Sequence, residues 1–237
     1  MQNASPKISA PDTPTILVIF GATGDLIGKK ILPALFHLFR DRRLPKKFHL
    51  DGFSRSSMSD ESFRKFLGKK LKHRLSSSVR STEIRKFLEA FSFRQGLLGK
   101  VQDYHSLAKT LKQIDASWGV CTNKLFYLAV PPHLYETILH RLAVSGLTKE
   151  CGGAGEGWSR VIVEKPFGKD AATAKKLDSL LGKLFKEEQI YRVDHYLAKE
   201  MLQNILTFRF GNNLFEQTCS NATIEKIEIR LLEKIGV

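Results

Sequence analysis

The stretch IYRVDHYLAKE, Ile190 to Glu200, gathers Arg192, Asp194, His195, Tyr196, Lys199 and Glu200 into eleven residues. It starts like a buried strand and finishes like a helix, which sets His195 and Lys199 four apart on one helical face. An imidazole, a phenol and an ammonium on one surface form a binding site for an anion such as a phosphate ester. The same groups also suit a surface salt-bridge cluster, and this segment alone leaves both readings open. A second stretch, VIVEKPFG, ends a buried apolar run with Glu164 and Lys165, and Pro166 rules out continuing the strand ladder. Both stretches would lie at the carboxyl ends of strands, where open α/β sheets bind ligands.

A third stretch, TILVIFGATGDLIGKK, places Gly21 and Gly24 directly after a short β-branched run and at the opening of a helix. Glycines there let the backbone approach a pyrophosphate, and free N–H groups at the helix N-terminus hold its charge. Thr23 adds a hydroxyl donor. The spacing through Gly28 is G-x-x-G-x-x-x-G, so the strand-turn-helix context carries more of the argument than the pattern itself. The next strand ends LDGFSRSS, with Ser54 and Arg55 at its tip where NAD-specific folds place an acid. A guanidinium and a hydroxyl suit a 2′-phosphate, so NADP is expected over NAD. Asp51 lies inside the strand and is poorly placed to reach a ribose.

The elements that must position these groups alternate. TILVIF, FHLDGF, EAFSFRQG, NKLFYLAV, SRVIVEKPFG and IYRVDHY read as strands. Helices are expected over about Gly24 to Arg40, with a kink or break at Pro33. Others are expected over DYHSLAKTLKQI, over PPHLYETILHRLAVSG closed by Gly146, and over DAATAKKLDSLLGKLF with Asp170 as N-cap. That order predicts an α/β fold, a Rossmann-like doubly wound parallel sheet with right-handed crossovers. ATIEKIEIRLLEKIGV alternates from Ile224 onward and predicts a half-exposed antiparallel strand. The expected organisation is a flexible tail over 1–14, a dinucleotide-binding domain over 15–193, and the incomplete beginning of an α+β, antiparallel-sheet domain over 194–237.

The chain has 237 residues, is 42% hydrophobic and carries a formal charge of +14. The charge attracts anions without choosing among them. Much of it sits in FRKFLGKKLKHRL and IRKFLEAF, amphipathic patterns with solvated basic faces, and neither aromatic platforms nor a known module points to nucleic acid. MQNASPKISAPDTP lacks the regions of an export signal, and no apolar run nears the roughly 18 residues of a membrane span, so a cytoplasmic protein without membrane partners is expected. Cys121, Cys151 and Cys219 are odd in number, far apart and without CxxC spacing, and are expected to be ordinary thiols. No metal site is expected. A short-chain reductase would need Tyr-x-x-x-Lys after the fourth strand, but Tyr135 is followed by Leu139 at that spacing.

FGATGDL, YLAVPP, EKPFG and YRVDHYLAKE, in this order and at these spacings, resemble the glucose-6-phosphate dehydrogenase family, from about Thr15 to Val237. The resemblance implies an oxidoreductase of the pentose phosphate pathway. A His general base takes the proton of the C1 hydroxyl of glucose 6-phosphate while hydride passes to NADP, giving a lactone and NADPH. It implies that Gly21, Thr23, Gly24, Asp25 and Leu26 bind the pyrophosphate, that Arg55 meets the 2′-phosphate and that Tyr135 touches the cofactor. Lys165 is implied to lie between cofactor and sugar, set by a cis Pro166. His195, Tyr196 and Lys199 resemble the grip on the sugar phosphate, Glu233 a carboxylate on the sugar hydroxyls, and Asp194 the carboxylate that orients the catalytic histidine. Ala198 stands where the family usually has Gly, and Gly28 where a charged or small residue is common. The family's base lies beyond Val237, as does most of the interface of its homo-oligomer, so binding of NADP with little or no turnover is expected. A non-catalytic NADP-binding module or a truncated gene product is the alternative.

Overall fold

The computed structural model describes residues 13–75, 79–151, 157–165, 167–168, 170–194 and 200–228. The chain divides between Val193 and Asp194 into two compact units. In the first, β1 (Thr15–Phe20), β2 (Phe48–Ser54), β3 (Phe91–Gln95), β4 (Asn123–Leu128), β5 (Ser159–Glu164) and β6 (Ile190–Val193) form one sheet in the order β3-β2-β1-β4-β5-β6. Every neighbouring pair is parallel. Strand order thus reverses between β1 and β4, as in doubly wound sheets.

β1 takes the centre because TILVIF is apolar on both faces. Leu17 and Ile19 pack toward α1 (Leu32–Arg40), α2 (Asp60–Lys72) and α3 (Ser81–Leu88), while Ile16, Val18 and Phe20 pack toward α4 (Val101–Trp118), α5 (Tyr135–Val144) and α6 (Ala171–Leu184). Aromatic rings lock each layer. Phe87 meets Phe36 at 5.3 Å and Phe91 at 4.8 Å, joining α3 to α1 and β3. Phe20 and Phe53 meet Tyr104 at 5.6 and 5.5 Å, joining β1 and β2 to α4. Each such ring adds about 0.5–1.5 kcal/mol beyond the burial of its surface.

The first helix runs past Pro33 without a break. The stretch Ile27–Ile31 widens into a π-turn, with the N–H of Leu32 donating to the carbonyl of Ile27, and Pro33 follows at the start of α1. A proline lacks a backbone donor and crowds the preceding turn, and the wider π-turn just before it is where the ladder accommodates this. Asp170 caps α6 as expected, accepting from the N–H of Thr173 at 2.8 Å, and Thr173 Oγ1 returns a bond from the N–H of Asp170 at 3.1 Å.

Two further expectations are corrected. Cys121 and Cys151 are not separate thiols but a disulfide, with Cα atoms 6.0 Å apart across 30 residues of sequence. Their spacing in sequence hid this. The pairing of Lys124 on β4 with Ser159 on β5 brings the residues that lead into both strands together. Cys219 is a free thiol. In the second unit, Ile224 to Glu228 form no strand, and Ile227 is 77% exposed. A lone alternating segment has no neighbour to complete its ladder. The remainder of that expected strand, 229–237, lies outside the described residues. The second unit holds α7 (Glu200–Phe210) and α8 (Asn213–Thr218), joined by a Phe208–Phe215 ring contact at 4.1 Å. Among the described residues no helix is long and apolar enough to cross a membrane.

Asp170→Ala is expected to cost about 1 kcal/mol, and the thermal midpoint to fall by about 2–4 °C. A melt followed by circular dichroism reads this directly, and an unchanged midpoint would show that the cap is replaceable by water.

Candidate functional site

At the carboxyl end of the sheet the turn after β1 and the loop after β4 lie side by side. Gly21 adopts φ +83°, open to glycine and strained for other residues. Its N–H donates to the carbonyl of Phe53 at 2.9 Å. A Cβ there would fall 2.5 Å from the carbonyl oxygen of Ala129 and 2.8 Å from Val130 Cγ1. The turn is therefore wedged between the ends of β2 and β4. Gly24 closes it, donating to the carbonyl of Gly21 at 2.9 Å, and the helix opens at Asp25. Helix-opening N–H groups aimed at the outside of a strand edge form an anion site. Thr23 Oγ1 and Ser54 Oγ are 2.8 Å apart, which ties the turn to the tip of β2. Arg55 follows, exposed, with its carbonyl accepting from Gln95 Nε2 at 3.4 Å.

Charge is arranged around that turn. Asp25 would repel a pyrophosphate, but Lys29 Nζ donates to its carboxylate at 2.7 Å and Lys70 Nζ lies 3.8 Å away. The hydrogen bond from Lys29 holds the Asp25 carboxyl below the usual carboxylate range. Gly28 makes room for Lys70, since a Cβ at Gly28 would meet Lys70 Cδ at 2.6 Å. The departure at Gly28 therefore brings a second ammonium to the site. Asp51 is fully buried and faces Arg94, whose Nη2 donates to Oδ2 at 3.4 Å. Among the described residues Asp51 Oδ1 and Arg94 Nε have no hydrogen-bond partner. Burial pushes the Asp51 carboxyl up to about 6 against the pull of Arg94. Closed in this way, it leaves Ser54 and Arg55 as the groups that β2 presents.

On the other side of the switch point, Tyr135 sits behind the edge, 1% exposed. Its hydroxyl donates to the carbonyl of Leu128 at 3.4 Å and accepts from the N–H of Glu164 at 3.3 Å, bracing the ends of β4 and β5. The hydroxyl of Tyr127 donates to Glu164 Oε1. Burial, with that bond second, raises the phenol above its ordinary range. This pair was missed in the sequence, although register could have suggested it: Tyr127 stands opposite Ile162, two residues before Glu164 on the same face. Lys165 is exposed just past β5, and Leu26 is half-buried in the first turn of the helix. A cavity of about 440 Å³ also opens at this edge between the starts of α5 and α6, lined by Pro132, His133, Glu136, Phe167 and Lys176.

Of the opening polar stretch, Arg192 is structural, bonded to Glu187 Oε1 at 2.6 Å and Asp178 Oδ1 at 2.8 Å. Asp194 is half-buried directly after β6. Pro166, His195, Tyr196, Lys199 and Glu233 lie outside the described residues.

A parallel sheet wound both ways around a glycine turn at its switch point defines a Rossmann-like nicotinamide-dinucleotide-binding domain. The family model described as "Glucose-6-phosphate dehydrogenase, NAD binding domain" matches residues 18–204, and the chain belongs to that family. It is 39% identical over 225 residues to the glucose-6-phosphate 1-dehydrogenase of Chlamydia muridarum, covering 94% of this chain and 44% of the relative. It is 42% identical over 237 residues to that of Treponema pallidum, covering 98% and 45%. A solved structure described as "Glucose-6-phosphate dehydrogenase in complex with its substrate glucose-6-phosphate" aligns with a TM-score of 0.78 at 34% identity, over 90% of this chain and 43% of the other. The enzyme from Mycobacterium avium aligns at 0.71 and 28%, over 86% and 42%. The chain thus spans less than half the length of these relatives.

Gly21→Ala is expected to destabilise the first unit by more than about 1 kcal/mol through strain and contact, and to abolish dinucleotide binding; fluorescence quenching by the cofactor and a denaturant melt read the two effects. Asp51 gives a pH signature. Its folded value of about 6 lies above the 3.8 of a free aspartate, so the folded chain holds more protons between the two, and this carboxyl's stabilisation is lost as pH rises through about 6. Relative to the parent, Asp51→Asn should gain stability between about pH 4 and 7, whereas parallel profiles would show that Asp51 titrates normally.

Proposed function

We propose that this chain forms the dinucleotide-binding part of an NADP-dependent dehydrogenase that oxidises glucose 6-phosphate at C1. The observation that carries this reading is the strand tip beside the glycine turn: Arg55 is exposed there, directly after the buried Ser54, while Asp51, the acid of the same strand, is shut inside. A tip with a guanidinium and no carboxylate favours a 2′-phosphate over a bare ribose. The helix-opening N–H groups of Asp25 and Leu26 hold the pyrophosphate, and the Asp25 carboxylate, engaged by Lys29, is kept from opposing them. Bound NADP supplies the hydride acceptor.

The family resemblance supports roles for the other groups. Lys165, carried on the end of β5, orients the sugar against the cofactor; His195, Tyr196 and Lys199 hold its phosphate, and Glu233 its hydroxyls. Asp194 orients the general-base histidine, which the resemblance places in the part of the relatives outside residues 1–237. Tyr135 acts on this edge by bracing β4 and β5. The protein works in the cytoplasm, and the full-length form is a homo-oligomer.

Isothermal titration of residues 1–237 should show NADP bound more tightly than NAD, with Arg55→Ala weakening NADP about 10- to 100-fold and NAD little. Equal loss for both cofactors would remove Arg55 from the 2′-phosphate. In an absorbance assay with glucose 6-phosphate, no NADPH is expected above background. Turnover at an ordinary enzymatic rate would show that these residues contain a proton acceptor of their own.

A further inference from the structure

We propose that Cys121 and Cys151 form a reversible dithiol–disulfide site, oxidised by low-molecular-weight disulfides, at the edge of the sheet opposite the dinucleotide crevice. Cys121 comes two residues before β4, and Cys151 bonds through its N–H to the carbonyl of Gly157, two residues before β5. Their Cα separation of 6.0 Å is the common one for a disulfide. The two residues differ in access: Cys151 is exposed and Cys121 half-buried. Reagent therefore meets Cys151 first, and Cys121 is the residue that resolves.

The surroundings of Cys151 suit a nucleophile. Lys124 Nζ lies 3.4 Å from its sulfur, on a side chain only 8% exposed. The ammonium is held in place by Asp115 Oδ2 at 2.7 Å and the carbonyl of Thr122 at 3.1 Å. Asp115 is fixed in turn by the N–H and hydroxyl of Thr122 at 3.1 and 2.6 Å. The Asp115 carboxylate lies farther from that sulfur, at 4.0 Å, so the nearer charge is the fixed cation, a setting that favours a thiolate. Asp115, Cys121 and Cys151 could also offer three ligands to a metal. The Lys124 ammonium, however, already contacts two of the three where a cation would sit.

The exchange balances. The Cys151 thiolate attacks one sulfur of the reagent RSSR, forming a mixed disulfide and releasing RS⁻, which takes up a proton. Cys121 loses its proton and attacks the Cys151 sulfur, expelling the second RS⁻, which is protonated in turn. Two protein thiols are oxidised and RSSR is reduced to two RSH; a dithiol reductant reverses the sequence. The bridge closes a loop that contains β4 and α5 but lies away from Gly21 and Arg55. Oxidation should therefore raise stability and leave dinucleotide affinity unchanged.

The test is a thiol count on the folded chain of 237 residues. After full reduction and removal of reductant, three thiols are expected, and one, Cys219, after incubation with oxidised glutathione, with the mass lower by two hydrogens and no adduct. Dithiothreitol should restore three. Cys121→Ser should stop at a glutathione adduct on Cys151, and Lys124→Gln should slow the oxidation about threefold. The oxidised chain should melt at least about 5 °C higher. Three thiols persisting under oxidant, a bridge that dithiothreitol cannot open, or a stoichiometric zinc ion retained by the reduced chain would each overturn the proposal.

Discussion

The contact of two backbone turns, Gly21 against Ala129 and Val130, is the constraint on which the rest of the first unit depends. β1 is paired residue for residue with both β2 and β4 from Thr15 to Phe20, so its end has no freedom to move aside. The chain must leave the sheet there, beside a loop departing in the other direction, and only a residue without a side chain fits. The helix that opens next inherits its position from that turn. The placement of Thr23, Ser54 and Arg55 around it follows from the same register.

Electrostatics then separates what is useful at this edge from what is merely present. The chain carries +14 overall, yet the charges around the turn are individually placed. Lys29 and Lys70 converge on Asp25, and Lys70 reaches it because Gly28 leaves space for its stem. Asp51 and Arg94 show the opposite case, a pair drawn inside with incomplete hydrogen bonding. Desolvation opposes the ionised carboxylate there, and removing it from the surface leaves the strand tip to a guanidinium and a hydroxyl.

The two edges of the sheet thus carry different chemistry on one scaffold. The carboxyl edge holds the glycine turn, the braced strand ends and the exposed lysine of β5. The amino edge holds a sulfur pair beside an anchored ammonium. Parallel strands make this division natural, because all carboxyl ends point one way and all connecting segments enter from the other. Helices on both faces keep the edges apart. The second unit contrasts with this packing: Ile205, Leu206, Phe208, Phe210 and Leu214 are each more than half exposed on its two helices.

Much of this was determined by the sequence alone. Apolar runs such as TILVIF can be buried only inside a sheet covered on both faces, and their alternation with amphipathic segments leaves a doubly wound fold as the simple solution. The glycine turn was legible for the same reason: strand, glycine and helix are local features whose conformations depend on neighbours in the chain. The motif resemblance likewise rested on short contiguous stretches. What the tertiary structure decided was every pairing between residues far apart in sequence. Asp51 reads as an acid set inside its strand, but that it is shut against Arg94 is seen only once β2 and β3 are paired. Tyr135 reads like a surface contact until its hydroxyl is found between two strand ends. Cys121 and Cys151 read like strangers until β4 and β5 lie side by side, and the alternation after Ile224 reads like a strand although the described residues there form none. Local pattern states what a segment can do, but a ladder partner, a salt bridge or a disulfide is a property of two segments, and only the packed chain specifies which two meet.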